Sequence, residues 1–385
     1  MSTLRIGIDY RPALFSRSGI ARSVRELARA IVAHTDVRLE LFAHGMKRPL
    51  REELTTAIGR HGDSLHRSRL PGRSLQALAK FGIDASRLVR SHHRECIDAF
   101  HWMDYVYPPV RSQLPVTMTV HDIAFAQDTS LHGSAASAML EARFESALCR
   151  VQAIACPTQA TARRLRARWP DAPRASVIPF GVDHVACEPD EQDRRRARGR
   201  ALAHELSGST EYALAIGTIE PRKNHATLLD ALDLLALSGV VVPLIVVGAR
   251  GWECDAVVRR LRSTHSFPCH WLPEATDRIA LDLLSAASIL VYPSNLEGFG
   301  FPPLEALECG VPAIVGSCAS MQETCGDAAV HVDGTDADQL ALAIRHLMSD
   351  RDLRRKCLEA WSERRSRFTW ERCARDHAAF WKALR

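Results

Sequence analysis

Short apolar runs alternate with stretches of helical period along this chain, and the alternation starts twice. Residues 5–8, 37–42, 99–102, 116–120, 153–156 and 176–178 read as strands. Between the first two, apolar side chains fall at 20, 24, 27, 28, 31 and 32, the spacing of one helix face. The rhythm then restarts. A strand at 212–216 is followed by a helix from about 225 to 236, an apolar strand at 241–247 ending in Gly248, and strands at 289–292 and 313–315. Strands with so little charge need cover on both faces, and strand–helix–strand alternation supplies it by building a parallel sheet. The residues therefore predict an α/β protein of two doubly wound domains. The length agrees, because 385 residues exceed what one core normally organises.

The charged stretch 188–208, with Glu191-Gln192-Asp193-Arg194-Arg195-Arg196, reads as the junction and the first helix of the second domain. The domains are thus expected at 1–187 and 188–368. Residues 369–385 carry Trp370, Phe380 and Trp381 on a predicted helix that needs something to bury against. No run approaches 18 uncharged apolar residues, so no membrane-spanning helix is expected. Asp9 comes too early for a signal peptide, and the segment around it reads as a first buried strand. The 11 cysteines form no Cys-x-x-Cys pair. They read as reduced thiols of a cytosolic protein, several in apolar or helical contexts (Cys149, Cys156, Cys309), and not as a zinc site.

Charge is uneven. Residues 47–94 hold eleven Lys or Arg against four acids, an excess above the +5 of the whole chain. Leucines and Phe81 are interleaved. Such a stretch is either a solvated helical face or a contact for an anionic membrane or a diphosphate-linked lipid. Nucleic acid is not indicated, since no aromatic-basic signature or zinc-finger spacing accompanies it.

The chemistry concentrates in four segments. In 294–306, Glu297 and Glu305 stand eight positions apart around Gly298, Phe299, Gly300 and Phe301, and Pro302-Pro303 opens a helix that Gly310 and Pro312 close. This places Glu305 in the first helical turn, suited to a vicinal diol, and Glu297 on the loop before it. In 215–224, Gly217 ends a strand and Arg222-Lys223 precedes a helix, a fork and a point charge suited to a diphosphate. His121-Asp122 follows the strand 116–120 at a sheet's carboxyl edge. Gly19, in the loop 16–22, would let backbone approach a phosphate, though the loop is not Gly-x-Gly-x-x-Gly. Asp336-Ala337-Asp338 and Asp350-Arg351-Asp352 read as helix N-caps and not as metal ligands.

Glu297-Gly298-Phe299-Gly300-Phe301-Pro302-Pro303-Leu304-Glu305-Ala306 resembles the E-x7-E motif of the retaining glycosyltransferases of family 4. Gly217 with Pro221-Arg222-Lys223-Asn224 resembles that family's phosphate-binding stretch, Pro179-Phe180-Gly181-Val182-Asp183 its pre-hinge segment, and Trp370-Glu371 the start of its last helix. The resemblance implies a GT-B fold: two Rossmann-like domains facing across a cleft, the last helix crossing back to the N-terminal domain. It implies that Glu305 binds the donor ribose and Glu297 the donor sugar. Arg222 and Lys223 would hold the diphosphate, and Gly298 to Phe301 would line the donor. His121 would lie near the sugar, and Gly19 would complete the diphosphate site. No metal or other cofactor is implied, since cations and backbone amides carry the leaving-group charge.

Ser18-Gly19-Ile20-Ala21-Arg22 resembles a loop of bacterial mannosyltransferases that build O-antigen and capsule. GDP-mannose is therefore the expected donor and a lipid-linked glycan the expected acceptor, at the cytoplasmic membrane face. A UDP-sugar donor, a sugar-nucleotide epimerase of the same fold and a non-catalytic scaffold remain as alternatives.

Overall fold

The structure is a computed structural model that describes residues 3–15, 18–43, 64–67, 97–104, 114–126 and 134–384. The chain divides into two compact units, residues 1–181 with 368–385, and residues 182–367. The first division lies six residues before the expected junction at 187/188. The reason is local: the turn Asp183–Val185 packs on helix Phe301–Glu308 and pairs His184 with Glu305, so it belongs to the second unit.

The first unit carries a parallel sheet whose described strands run in the order β3-β2-β1-β4-β5-β6-β7. These are β1 Arg5–Asp9, β2 Arg38–Ala43, β3 Ser64–Arg67, β4 Ala99–Trp102, β5 Val116–Thr119, β6 Ala153–Cys156 and β7 Ala175–Val177. Ile6, Ile8, Met118 and Ile154 are fully buried between the covering layers. Helix Gly19–His34 turns Ala21, Val24, Leu27, Ala28 and Ile31 inward, and Ser18 caps it by accepting from the Ala21 amide at 3.3 Å. Apart from β3, the basic stretch 47–94 lies outside the described residues.

The aromatic tail finds its cover here. Helix Trp370–Lys382 packs along helix Gly19–His34, with Trp370, Phe380 and Trp381 buried. Its start is fixed by close approach, since a Cβ on Gly181 would lie 2.2 Å from the Trp370 nitrogen.

The second unit is another parallel sheet, in the order β10-β9-β8-β11-β12-β13. It consists of β8 Ala213–Ile216, β9 Leu244–Val247, β10 Cys269–Leu272, β11 Ile289–Tyr292, β12 Ala313–Gly316 and β13 Ala329–Val332. Helix Pro189–Ser207 occupies the charged stretch expected to open this domain. Sequence reading missed β3, β10 and β13, and all three are sheet edges. An edge strand mixes polar and apolar side chains, as Cys269-His270-Trp271-Leu272 does, and leaves no apolar run to read. Asp336 and Asp350 are N-caps, accepting from the amides of Gln339 and Leu353 at 2.9 Å each. Most described cysteines are buried, but Cys149, expected among the buried thiols, is exposed just past a helix end.

A charged group interrupts the apolar interior of the first unit. Asp9 ends β1 with 2% of its surface exposed, and among the described residues its Oδ2 has no hydrogen-bond partner. Burial pushes its carboxyl up to about 6, against the pull of Arg11 and with a push from Asp104. A carboxyl raised in the folded state contributes stability below its unfolded value, and that contribution is lost as pH rises through about 6. Asp9→Asn is therefore expected to stabilise the fold near neutral pH by at most about 3 kcal/mol, and so to raise the melting temperature. The gain should shrink as the pH falls toward about 4. Calorimetry across that range checks it, and a variant that melts lower at neutral pH would show that the Arg11 pairing outweighs the burial cost.

Candidate functional site

Strands β8 and β11 lie side by side, and the chain leaves them toward opposite edges of the sheet. The crevice at the carboxyl ends of such a pair is where doubly wound sheets bind ligands. Two loops emerge there. The first runs from Gly217 to a tight turn Pro221–Lys223 and ends on Asn224 in the left-handed region (φ 52°). The second runs from Pro293 to Gly300 (φ 79°), which caps helix Phe301–Glu308. The left-handed φ at Gly300 favours glycine, and a Cβ there would also press on the Met321 methyl.

Hydrogen bonds stitch the loops together. The Asn295 amide donates to Arg222 O at 3.0 Å, and Asn224 Nδ2 to Pro293 O at 2.8 Å. From behind, Ser320 Oγ donates to Glu297 O at 2.7 Å and Thr324 Oγ1 to Phe299 O at 3.3 Å.

Glu297 is the hub. It is 6% exposed, and its Oε1 accepts from Lys223 Nζ (2.5 Å), Ser294 Oγ (2.7 Å) and Tyr292 OH (2.9 Å), with Arg222 Nη1 at 3.2 Å. Arg222 also donates to Leu296 O and pairs with Glu220 Oε1, both at 2.7 Å. Lys223 Nζ donates to Tyr292 OH and sits 4.4 Å from the centre of that ring. Gly217 lies over the Lys223 stem. The buried Lys223 and the half-buried Arg222 thus meet two carboxylates.

Burial alone would raise the Glu297 carboxyl. Lys223, Arg222 and the hydrogen bonds from Lys223 and Ser294 overcome it and hold the group at about 2. Burial pulls the Lys223 ammonium below its ordinary value, against Glu297. His225, pushed to about 3 by burial and by Lys223, stays neutral beside them.

The structure thus brings Gly217, Arg222, Lys223 and Glu297 into one cluster, with Gly298 and Gly300 on the loop that carries Glu297. Phe299 and Phe301 turn their rings into the core, 5.0 Å apart. Glu305 corrects the sequence reading. It is the fifth residue of its helix and so lies in the second turn, because the Gly300 cap starts the helix at Phe301. It is 3% exposed and faces His184 Nε2 at 3.1 Å.

The other two candidates lie in the first unit. His121 follows β5, donates from Nε2 to Met103 O at 2.8 Å and stacks on Phe180. Gly19 is the exposed first residue of its helix.

Sequence reasoning missed Tyr292, Ser294, Glu220 and His184. Tyr292 reads as strand core, and His184 gains meaning only from a partner 121 residues away. Among the described residues no group of three or more His, Cys, Asp or Glu is arranged to hold a metal ion.

Comparison with known proteins agrees with this architecture. A family model described as "Glycosyl transferases group 1" matches residues 203–364, and one described as "Glycosyltransferase Family 4" matches residues 17–185. The chain belongs to glycosyltransferase family 4. Its fold is GT-B. Sucrose-phosphate synthase of Thermosynechococcus elongatus superposes with a TM-score of 0.73 at 17% identity, over 99% of both chains. Anabaena HepE, solved in complex with UDP-glucose, gives 0.73 at 15% identity, over 99% of this chain and all of that one.

Relatives by sequence include the O-antigen chain mannosyltransferase B of Escherichia coli, 37% identical over 175 residues, which are 45% of this chain and 46% of that protein. A GDP-mannose-dependent phosphatidylinositol monomannoside mannosyltransferase of Corynebacterium glutamicum is 27% identical over 201 residues, 50% of this chain and 52% of that protein. The chain thus spans about half the length of these two relatives.

The buried hub makes a stability prediction. Glu297→Gln leaves Arg222 and Lys223 short of a countercharge and is expected to destabilise the second unit by about 3–5 kcal/mol near neutral pH. Because the folded value is held low, the carboxylate's contribution is present above about 4.5 and fades as the pH falls toward 2. Wild type and variant should therefore converge in acid. Added pyrophosphate should recover more of the melting temperature in the variant than in wild type. Equal recovery would mean that the anion does not reach these cations.

Proposed function

We propose that this chain is a retaining glycosyltransferase that moves mannose from GDP-mannose onto a growing, lipid-linked bacterial surface glycan. The observation that carries the reading is the cluster of half-buried Arg222 with buried Lys223 and Glu297 at the carboxyl ends of β8 and β11. The mannosyltransferase names of the relatives favour the sugar.

In this reading the cluster works by exchange. Two carboxylates already balance the two cations, so an arriving diphosphate competes with Glu297 for Lys223 and Arg222. Glu297, released from them, turns to the hydroxyls of the donor sugar. Glu305 takes the ribose, and the amides of Gly298 to Phe301 line the donor.

The glycosidic C–O bond breaks on the face where the acceptor oxygen arrives. The departing phosphate oxygen takes the acceptor proton. Neither glutamate acts as a nucleophile, and the cations carry the leaving-group charge without a metal. No helix among the described residues is long and apolar enough to cross a membrane. Contact of the 47–94 stretch with an anionic bilayer at the cytoplasmic face is part of the proposal.

Two measurements test it. In a thermal-shift panel, the true donor at 100 times its Kd adds about 2.7 kcal/mol of stability. GDP-mannose should produce the shift and UDP-glucose should not; the reverse would replace mannose with a UDP-sugar donor. No shift from any nucleotide sugar would favour the scaffold alternative. Lys223→Ala should lower kcat by about 100- to 1000-fold at saturating donor. A near-normal rate would remove Lys223 from the leaving-group role.

A further inference from the structure

The first unit repeats the frame that surrounds Glu297. In its sheet, β1 and β4 are the neighbours that the chain leaves toward opposite edges, so their carboxyl ends flank the crevice where such sheets bind ligands. Charge gathers at that place too. Asp9 is the last residue of β1, Arg11 stands two residues on, and Asp104 lies two residues past β4. Arg11 Nη2 is 3.9 Å from Asp9 Oδ2 and 3.7 Å from Asp104 Oδ2. Both separations are too long for a hydrogen bond, yet short enough for the two charges to hold the guanidinium between them.

The three side chains differ in access. The side chain of Asp9 is 1% exposed, while those of Arg11, at 12%, and Asp104, at 15%, reach the surface. The loop bearing Asp104 is fixed from the next strand, since Met103 O accepts from His121 Nε2 at 2.8 Å.

A structural ion pair is the competing account, and Asp9 argues against it. Its Oδ1 accepts from the Arg11 amide at 3.2 Å, but its Oδ2 faces the Arg11 guanidinium from a buried position with no hydrogen-bond partner among the described residues. The fold gains little from a buried charge so incompletely satisfied, and an apolar residue of similar size would serve it better.

We propose that Asp9, Arg11 and Asp104 form a sugar-hydroxyl site in the first unit. Asp104 accepts from, and Arg11 donates to, a vicinal pair of hydroxyls on the pyranose that receives the transferred sugar. Asp9 is a positioning residue: it holds the guanidinium over the β1–β4 crevice and does not touch the sugar. The inference deepens the glycosyltransferase reading and rests on it for the identity of the sugar as acceptor.

The test uses the full chain and methyl α-D-mannopyranoside as probe. Saturation-transfer NMR at about 10 mM probe reads a millimolar site. Wild type should show transfer to the ring protons. Arg11→Lys keeps the charge but loses the planar fork, and Asp104→Asn keeps the shape but loses the charge. Each should cut the signal at least about fivefold. Asp9→Asn should weaken the signal while its melting temperature near neutral pH rises; a merely structural residue would lose both together.

GDP-mannose thermal shifts on the same samples keep the two readings apart. A donor shift with no probe signal in wild type, or with signal undiminished in Arg11→Lys and Asp104→Asn, overturns the site and leaves the donor reading standing. A probe signal that depends on Arg11 and Asp104 without any nucleotide-sugar shift upholds the site and sinks the donor reading.

Discussion

A carboxylate kept charged inside the second unit governs the structure around it. Glu297 is buried, and a buried carboxylate persists as an anion only if cations and hydrogen-bond donors surround it. Lys223, Arg222, Tyr292 and Ser294 do so at one oxygen. That requirement shapes both loops. It calls the Pro221–Lys223 turn back against the loop after β11, and the turn in turn needs Asn224 in a left-handed conformation. Gly300 then lets the second loop end at once in a helix. The result is a pair of cations held under compensation, ready for an anion of better geometry.

The two units share more than sheet topology. Each places opposed charges where its strand order reverses: Glu297 with Lys223 and Arg222 in one, Asp9 and Asp104 with Arg11 in the other. The middles of β1, β8 and β11 are uncharged, so these clusters sit at the carboxyl edge. The degree of compensation differs. The second unit satisfies its carboxylate with four donors, whereas Asp9 keeps an oxygen without a hydrogen-bond partner among the described residues. That contrast separates a site that stores its own countercharge from one that bears the cost of a buried acid.

Reading the sequence worked where one residue type has one physical use. The strands β1, β8 and β11, the Asp336 and Asp350 caps, and the helix after Pro302-Pro303 follow from local rules. The edge strands β10 and β13 did not, because an edge has no uniform burial to imprint on its residues. Glu305 was placed one turn early, since proline pairs announce a helix without fixing whether the preceding Phe301 joins it.

By itself the sequence determined two doubly wound parallel domains, the motif residues of family 4, and an aromatic last helix in search of a surface. The domains and the helix are read from period and composition along the chain, and the motif from its resemblance to the family. Only the tertiary structure decided that Glu297 is a buried hub and not an exposed arm of the loop, that His184 answers Glu305, and that helix Trp370–Lys382 closes over Gly181 in the first unit. It alone brought Asp9 and Asp104 to either side of Arg11. The physical reason is common to all four. A charge's partner, and the face on which a helix finds cover, are set by strand order, which joins residues far apart in the chain and leaves no trace in their local spacing.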